Sequence, residues 1–300
     1  MTSRARRVIA AIALVVLAPY PAAGGQQPKP ASVAIVAALT GTAWVTIPGD
    51  RGATALRLFQ WLPAKALIEV GKESGLTLVF SSGARYELGA TAKVTAGTDA
   101  VASSSGPVRV VEAVPPLPRI APIAAESRAG SRPGAVRIRG TTITRLYPDA
   151  RATALADTTV LRFMPLPDAS RYQVDVHTDF GASVFRTETQ LPTVTIAPGV
   201  LKPGAKYHWE VRTLDRIGQA ARGAAEFVTL DAEAVQARTT LKQSLEAAGD
   251  AASLALLAEI DRSLGLLVEA REEFRAALAK APDDVALRQA FDRLEQQLAA

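Results

Sequence analysis

The chain has no cysteine. This excludes disulfides, thiol nucleophiles, cysteine-ligated metals and a lipid-modified cysteine anchor, and leaves stability to core burial. Histidine is almost absent too, with only His177 and His208 among 300 residues. A metal site takes three or four ligands, and these two lie on separate strands without HxH or HxxxH spacing, so both are read as surface residues. No GxSxG and no glycine-rich phosphate loop occurs. Asp168, Asp175, Asp179 and Asp215 are scattered over turns and strands, with no arrangement that pairs two carboxyls for acid–base work. No catalytic residue, cofactor site or metal site is therefore expected, and the chain is read as something other than an enzyme.

Long hydrophobic runs are missing as well. The longest, VIAAIALVVLA from Val8 to Ala18, has eleven residues, whereas a membrane-spanning helix needs ~20. Arg4, Arg6 and Arg7 precede it, and Pro19, Pro21 and the small residues AAGG follow. These are the three regions of a secretory signal peptide. Residues 1-25 are expected to be that peptide, cut after Gly24 or Gly25, with the rest periplasmic or secreted and without an integral membrane span. The net charge of +5 suggests nucleic acid, but removing the three leader arginines leaves +2 on the mature chain. Its basic residues are interleaved with acids, so no nucleic-acid partner is expected.

Residues 32-105 read as an all-β module. VAIVAALTGTAWVTI makes one or two strands ended by the turn PGDRG. Then come LRLFQWL, ALIEV, LTLVF, RYELG and AKVTA, separated by glycine and serine turns. Strands of about five residues leave no room for crossover helices and indicate a meander or a small β-solenoid. The stretch LPAKALIEVGKESGLTLVFSSGARYELGATAKVTA, through Leu67, Gly71, Ser74, Leu76, Leu78, Gly83 and Leu88, resembles the FecR-like domain of bacterial envelope proteins. It departs from that pattern at Lys72, Ser82 and Ala84. The resemblance implies a β fold and an envelope setting. The anti-sigma role does not carry over, because no cytoplasmic regulatory segment precedes the apolar run. Trp44, Phe59, Trp61 and Tyr86 are either core residues or a sugar-stacking platform.

From residue 106 to 140 the composition turns proline-rich, GPVRVVEAVPPLPRIAPI followed by AAESRAGSRPG, which reads as an extended connector. Its alternating RVVEAV and AVRIRG are also suited to docking along a sheet edge. Residues 141-230 carry longer period-two strands with turns about every ten residues, the pattern of a β-sandwich. Leu201, Pro203 and Tyr207 in LKPGAKYHWEVRTL stand as in a tyrosine corner, and Phe163, Tyr172 and Val174 continue the pattern. This region resembles the fibronectin type III domain. On the strand around His208, Tyr207, Trp209 and Val211 must share the opposite face.

In residues 231-300 the period changes to three and four, with Val235, Arg238, Leu241 and Leu245 on the first of four helices. Gly249 and Asp250 stop it and cap the second. The segment AASLALLAEIDRSLGLLVEAREEFRAALAKAPDD, with Gly265 at its turn and Ala270, Phe274, Ala277 and Pro282 at the later signature spacings, resembles one tetratricopeptide repeat. Leu254, Ala258 and Asp261 replace its usual tryptophan, glycine and tyrosine. The resemblance implies protein or peptide binding on the face of the first helix, at Glu259, Arg262 and Ser263. The bland alternative is ordinary solvated positions on a bundle that stabilises itself. With a single repeat, the tail is expected to dock either on its own sandwich or on a partner.

The fold expected is thus multidomain: an all-β FecR-like module, a fibronectin type III-like β-sandwich and α-helical tetratricopeptide-like hairpins. The function expected is a non-catalytic exported envelope scaffold or adaptor in a signalling or assembly system, with an envelope protein or peptide as partner. The alternative is an envelope protein that binds cell-wall glycan or peptidoglycan.

Overall fold

The computed structural model describes residues 32–119, 142–215 and 220–299. The leader expected at 1-25 and residues 120–141 of the connector lie outside them.

The first module contains β1 (Ser32–Thr40), β2 (Ala43–Thr46), β3 (Thr54–Ala55), β4 (Trp61–Pro63), β5 (Leu67–Val70), β6 (Gly75–Phe80), β7 (Arg85–Leu88), β8 (Lys93–Ala96), β9 (Val101–Ser105) and β10 (Val108–Val111). They form two five-stranded sheets, ordered β10-β7-β6-β1-β4 and β3-β2-β5-β8-β9. Ala34, Val36, Leu62, Leu78 and Phe80 of the first sheet share one core with Val45, Ile68 and Val94 of the second. The module is therefore a two-sheet sandwich instead of the expected meander or solenoid. The chain passes between the sheets after β1, β3, β4, β5, β7 and β9, and stays within one sheet at the β2–β3, β6–β7 and β8–β9 hairpins. Gly41 makes the first of these passages at φ +73, where a Cβ would lie 2.4 Å from Ser74 Oγ.

The β6–β7 hairpin carries FSSGARYELG, and its turn receives the proline-rich segment. Gly83 has φ +89, and a Cβ there would come within 2.0 Å of the Val114 carbonyl oxygen. Val114 N donates to Gly83 O at 3.0 Å and Leu117 N to Ser81 O at 2.9 Å. The connector expected at 106-140 thus begins as part of the module: β10 pairs with β7, and Leu117 is buried. Its prolines permit this because Pro107 precedes β10 and Pro115 follows it, so neither removes a ladder donor.

The second module contains β11 (Thr153–Ala154), β12 (Val160–Arg162), β13 (Tyr172–Thr178), β14 (Ser183–Thr189), β15 (Thr193–Thr195), β16 (Lys206–Thr213) and β17 (Arg222–Thr229). A five-stranded sheet, β11-β17-β16-β13-β14, packs on the two-stranded β12-β15. Tyr207 Oη accepts from Lys202 N at 2.8 Å, and its ring stacks on Phe227. Trp209 is fully buried and donates from Nε1 to Pro148 O at 2.9 Å. Strand β16 buries Tyr207, Trp209 and Val211 and leaves His208 on the other face, as a period of two requires.

Four helices follow: α1 (Ala232–Ala248), α2 (Ala251–Ser263), α3 (Leu267–Lys280) and α4 (Val285–Ala299). Asp231 and Asp250 cap α1 and α2 by accepting from Ala234 N and Ser253 N, and Gly249 closes α1 at φ +68. The helices pack on the chain's own β modules. Ile35, Ala37 and Val79, on the outer face of the first sheet, join one core with Leu245, Leu256 and Phe274. Phe59 meets Phe274 edge-on at 6.0 Å. From the second module, Tyr147 and Leu155 pack on the same cluster, and Thr153 N donates to Gly265 O at 2.9 Å. Strands β1 and β6 are consequently covered on both sides, which is why VAIVAAL is a continuous apolar run and LTLVF is interrupted only by Thr77.

Candidate functional site

The loop from Thr54 to Gln60 leaves the edge of the second sheet and faces α2 and α4. Between them lies a cleft of about 860 Å³. The loop contributes Arg57 and Leu58, α2 contributes Glu259 and Arg262, and α4 contributes Ala286, Gln289, Arg293 and Gln297. On α4 these positions are spaced i, i+3, i+7 and i+11, so one helical face lines the site.

The three residues named from sequence are brought together, although only in part as a surface. Arg262 lines the cleft. Its Nε and Nη2 lie 2.7 and 2.5 Å from the two oxygens of Glu259, which is buried. This hydrogen bond outweighs burial and raises the Arg262 pKa. Ser263 Oγ donates to Glu259 Oε1 at 3.3 Å and accepts from Trp61 Nε1 at 3.2 Å. Ser263 therefore faces the first module. Sequence reasoning missed Arg57 and Arg293. Both are exposed in the cleft, and neither guanidinium has an ion-pair partner among the described residues. The polar face of α4 carried a signal for Arg293, and nothing local marked Arg57.

Behind the cleft, a buried charge cluster ties three helices together. Arg238 of α1 forms a two-pronged pair with Asp261 of α2, with Nε–Oδ1 at 2.7 Å and a second, shorter Nη2–Oδ2 contact. Its Nη2 is 3.3 Å from Glu273 Oε1 of α3, which Lys242 Nζ also approaches at 2.9 Å. Asp261 is fully buried, Glu273 Oε2 has no hydrogen-bond partner among the described residues, and Glu269 of α3 adds a third carboxyl to this region. Two cations thus face three carboxyls. Burial first, and Asp261 second, push the Glu273 carboxyl up to about 8, and burial raises Glu269 as well. Burial, reinforced by Glu269, raises the Tyr147 hydroxyl.

A raised carboxyl contributes its stability in the protonated form, so the contribution is complete below the unfolded value of 4.5 and is lost as pH rises toward 8. The unfolding free energy from urea melts is expected to fall as pH rises from 4.5 to 8. Glu273→Gln should flatten that slope, and an unchanged slope would contradict the assignment.

Elsewhere the candidate groups disperse. Phe59 packs on Phe274, Trp61 on the helical core and Tyr86 on Phe80, so of the four aromatics only Trp44 is largely exposed and no stacking strip forms. His177 and His208 are direct partners across β13 and β16, a proximity that their sequence separation concealed. His208 Nε2 lies 3.0 Å from Asp179 Oδ1. No group of three or more potential metal ligands occurs among the described residues. Within the same residues, no helix is long and apolar enough to cross a membrane.

No protein-family model matches the chain, and no curated protein matches it. Among solved structures it is similar to CopC from Methylosinus trichosporium OB3b, at 18% identity over 31% of this chain and 96% of that one, with a TM-score of 0.23. It is also similar to the FN1–FN3 domains of chicken CNTN1, at 10% identity over 68% of this chain and 64% of that one, with a TM-score of 0.21. A two-domain fibronectin type III segment of chicken tenascin aligns at 8% identity over 67% of this chain and 95% of that one, with a TM-score of 0.21.

Proposed function

We propose that the protein is a non-catalytic, exported scaffold or adaptor of the cell envelope, and that it holds a protein partner in the cleft between its first β module and its helices. In this reading the first module is FecR-like, the second is fibronectin type III-like, and α2 with α3 is a tetratricopeptide-like hairpin. One observation carries the reading: an open cleft whose walls come from two different modules, in which the Glu259 carboxylate is already neutralised by Arg262. Such a surface presents recognition groups, and its shape depends on the modules staying docked.

The test is affinity capture from chemically crosslinked cell envelopes, comparing the native chain with Ala286→Trp. Ala286 is exposed at the cleft wall, so an indole there fills the space without disturbing the core. A protein recovered with the native chain and lost with the variant is the expected result. Equal recovery by both, or recovery of wall glycan alone, would remove the cleft from the function.

A further inference from the structure

The cleft has a definite charge. Its lining holds three guanidinium groups, on Arg57, Arg262 and Arg293, and one carboxylate, on Glu259. Arg262 and Glu259 neutralise each other, which leaves Arg57 on the loop wall and Arg293 on the helical wall as two cations without an ion-pair partner among the described residues. Open water makes such a pair tolerable. A partner that brings carboxylates gains both bonds, because guanidinium groups pair with carboxylates through two parallel donors.

The shape favours an extended chain over a compact anion. Strand β3 is the last strand of its sheet, and both its residues, Thr54 and Ala55, line the cleft. A peptide lying in the cleft therefore runs beside an unpaired sheet edge, which supplies main-chain hydrogen bonds in a sequence-independent way. The amides of Gln289 and Gln297 both donate and accept, so they suit the peptide groups of such a chain. Leu58 and Ala286 provide apolar ground for alternate side chains. At about 860 Å³ the cleft lies within the range of sites that enclose a ligand, ~300–1,000 Å³.

Resting on the adaptor reading above, we propose that the partner enters as an acidic, extended peptide segment. Its carboxylates pair with Arg57 and Arg293, and its backbone lies along the β3 edge. Opposite charge steers the encounter, and the two arginines fix the register.

Fluorescence anisotropy on the full chain tests this with a labelled peptide of alternating glutamate and leucine, beside the same peptide with lysine for glutamate. The glutamate peptide is expected to bind, and the lysine peptide is not. Binding is expected to weaken as salt rises, since exposed charges are screened over ~10 Å at 0.1 M. Arg57→Glu with Arg293→Glu, both at exposed positions, should weaken the glutamate peptide by at least about tenfold and admit the lysine peptide. Unchanged circular dichroism would show that the double variant is folded. Equal affinity for the two peptides, undiminished binding by the double variant, or complete displacement by millimolar inorganic phosphate would overturn the proposal. A native chain that binds neither peptide, alongside an Ala286→Trp chain that still loses its captured partner, would overturn the acidic peptide and leave the adaptor reading standing.

Discussion

Asp261→Ala is expected to destabilise the helical region by about 3–5 kcal/mol, the cost of leaving a buried charge without its partner. Asp261 is fully buried, and Arg238, 6% exposed, would keep one ion pair among the described residues, to Glu273. Glu273 is a poor substitute: its geometry to Arg238 is longer, and it already serves Lys242. Urea unfolding followed by helical ellipticity at 222 nm measures the loss. The double variant Arg238→Met/Asp261→Leu removes both charges and fills similar volume, so it should recover most of the stability. A single variant that loses less than about 1 kcal/mol would mean that the pair does not hold α1 against α2. The cluster also accounts for an aspartate at a fully buried position of α2, because Asp261 receives the arginine of the preceding helix.

A chain ended after Leu230 is expected to lose its monodispersity. Without the helices, Ile35, Val79 and Phe59 lose the side chains that cover them. Fully burying an aliphatic or aromatic side chain stabilises by about 1.5–3 kcal/mol, so three of them together outweigh ordinary surface effects. Ile35 and Val79, paired across β1 and β6, and Phe59 on the loop before β4 would then lie bare, the kind of apolar surface that drives association. Size-exclusion chromatography should show oligomers, and a hydrophobic dye should brighten on the truncated chain but not on the full one. A truncated chain that stays monomeric and dark would show that the helices are an appendage instead of a joint. The same exposure makes truncation unsuitable for locating a partner, whereas Ala286→Trp leaves the core intact.

Elements whose signal is local were legible in the sequence. The four helices and their stops follow from apolar spacing together with Asp231, Gly249 and Asp250. The corner at Tyr207 follows from the leucine, proline and tyrosine before β16, and its hydroxyl does bond the backbone at Lys202. The opposite faces of His208 and Trp209 follow from the pleat alone. The candidate site was half legible. Arg262 and the buried Glu259 line the cleft, while Ser263 is capped by Trp61. A signal for the buried cluster was present but not used: Arg238 stands within an apolar stripe, where a charge implies a partner arriving from another helix.

What the sequence determined by itself is the type of each element and which of its faces is apolar, because helix and strand periods are properties of neighbouring residues. What only the tertiary structure decided is which apolar faces meet. The runs in β1 and β6 state that both sides are covered, without stating by what. The helices took that position because docking buries their apolar stripe and the outer face of the first sheet in one core. That docking in turn placed Arg57 across from Arg293, and the cleft exists only because two modules distant in sequence close around it.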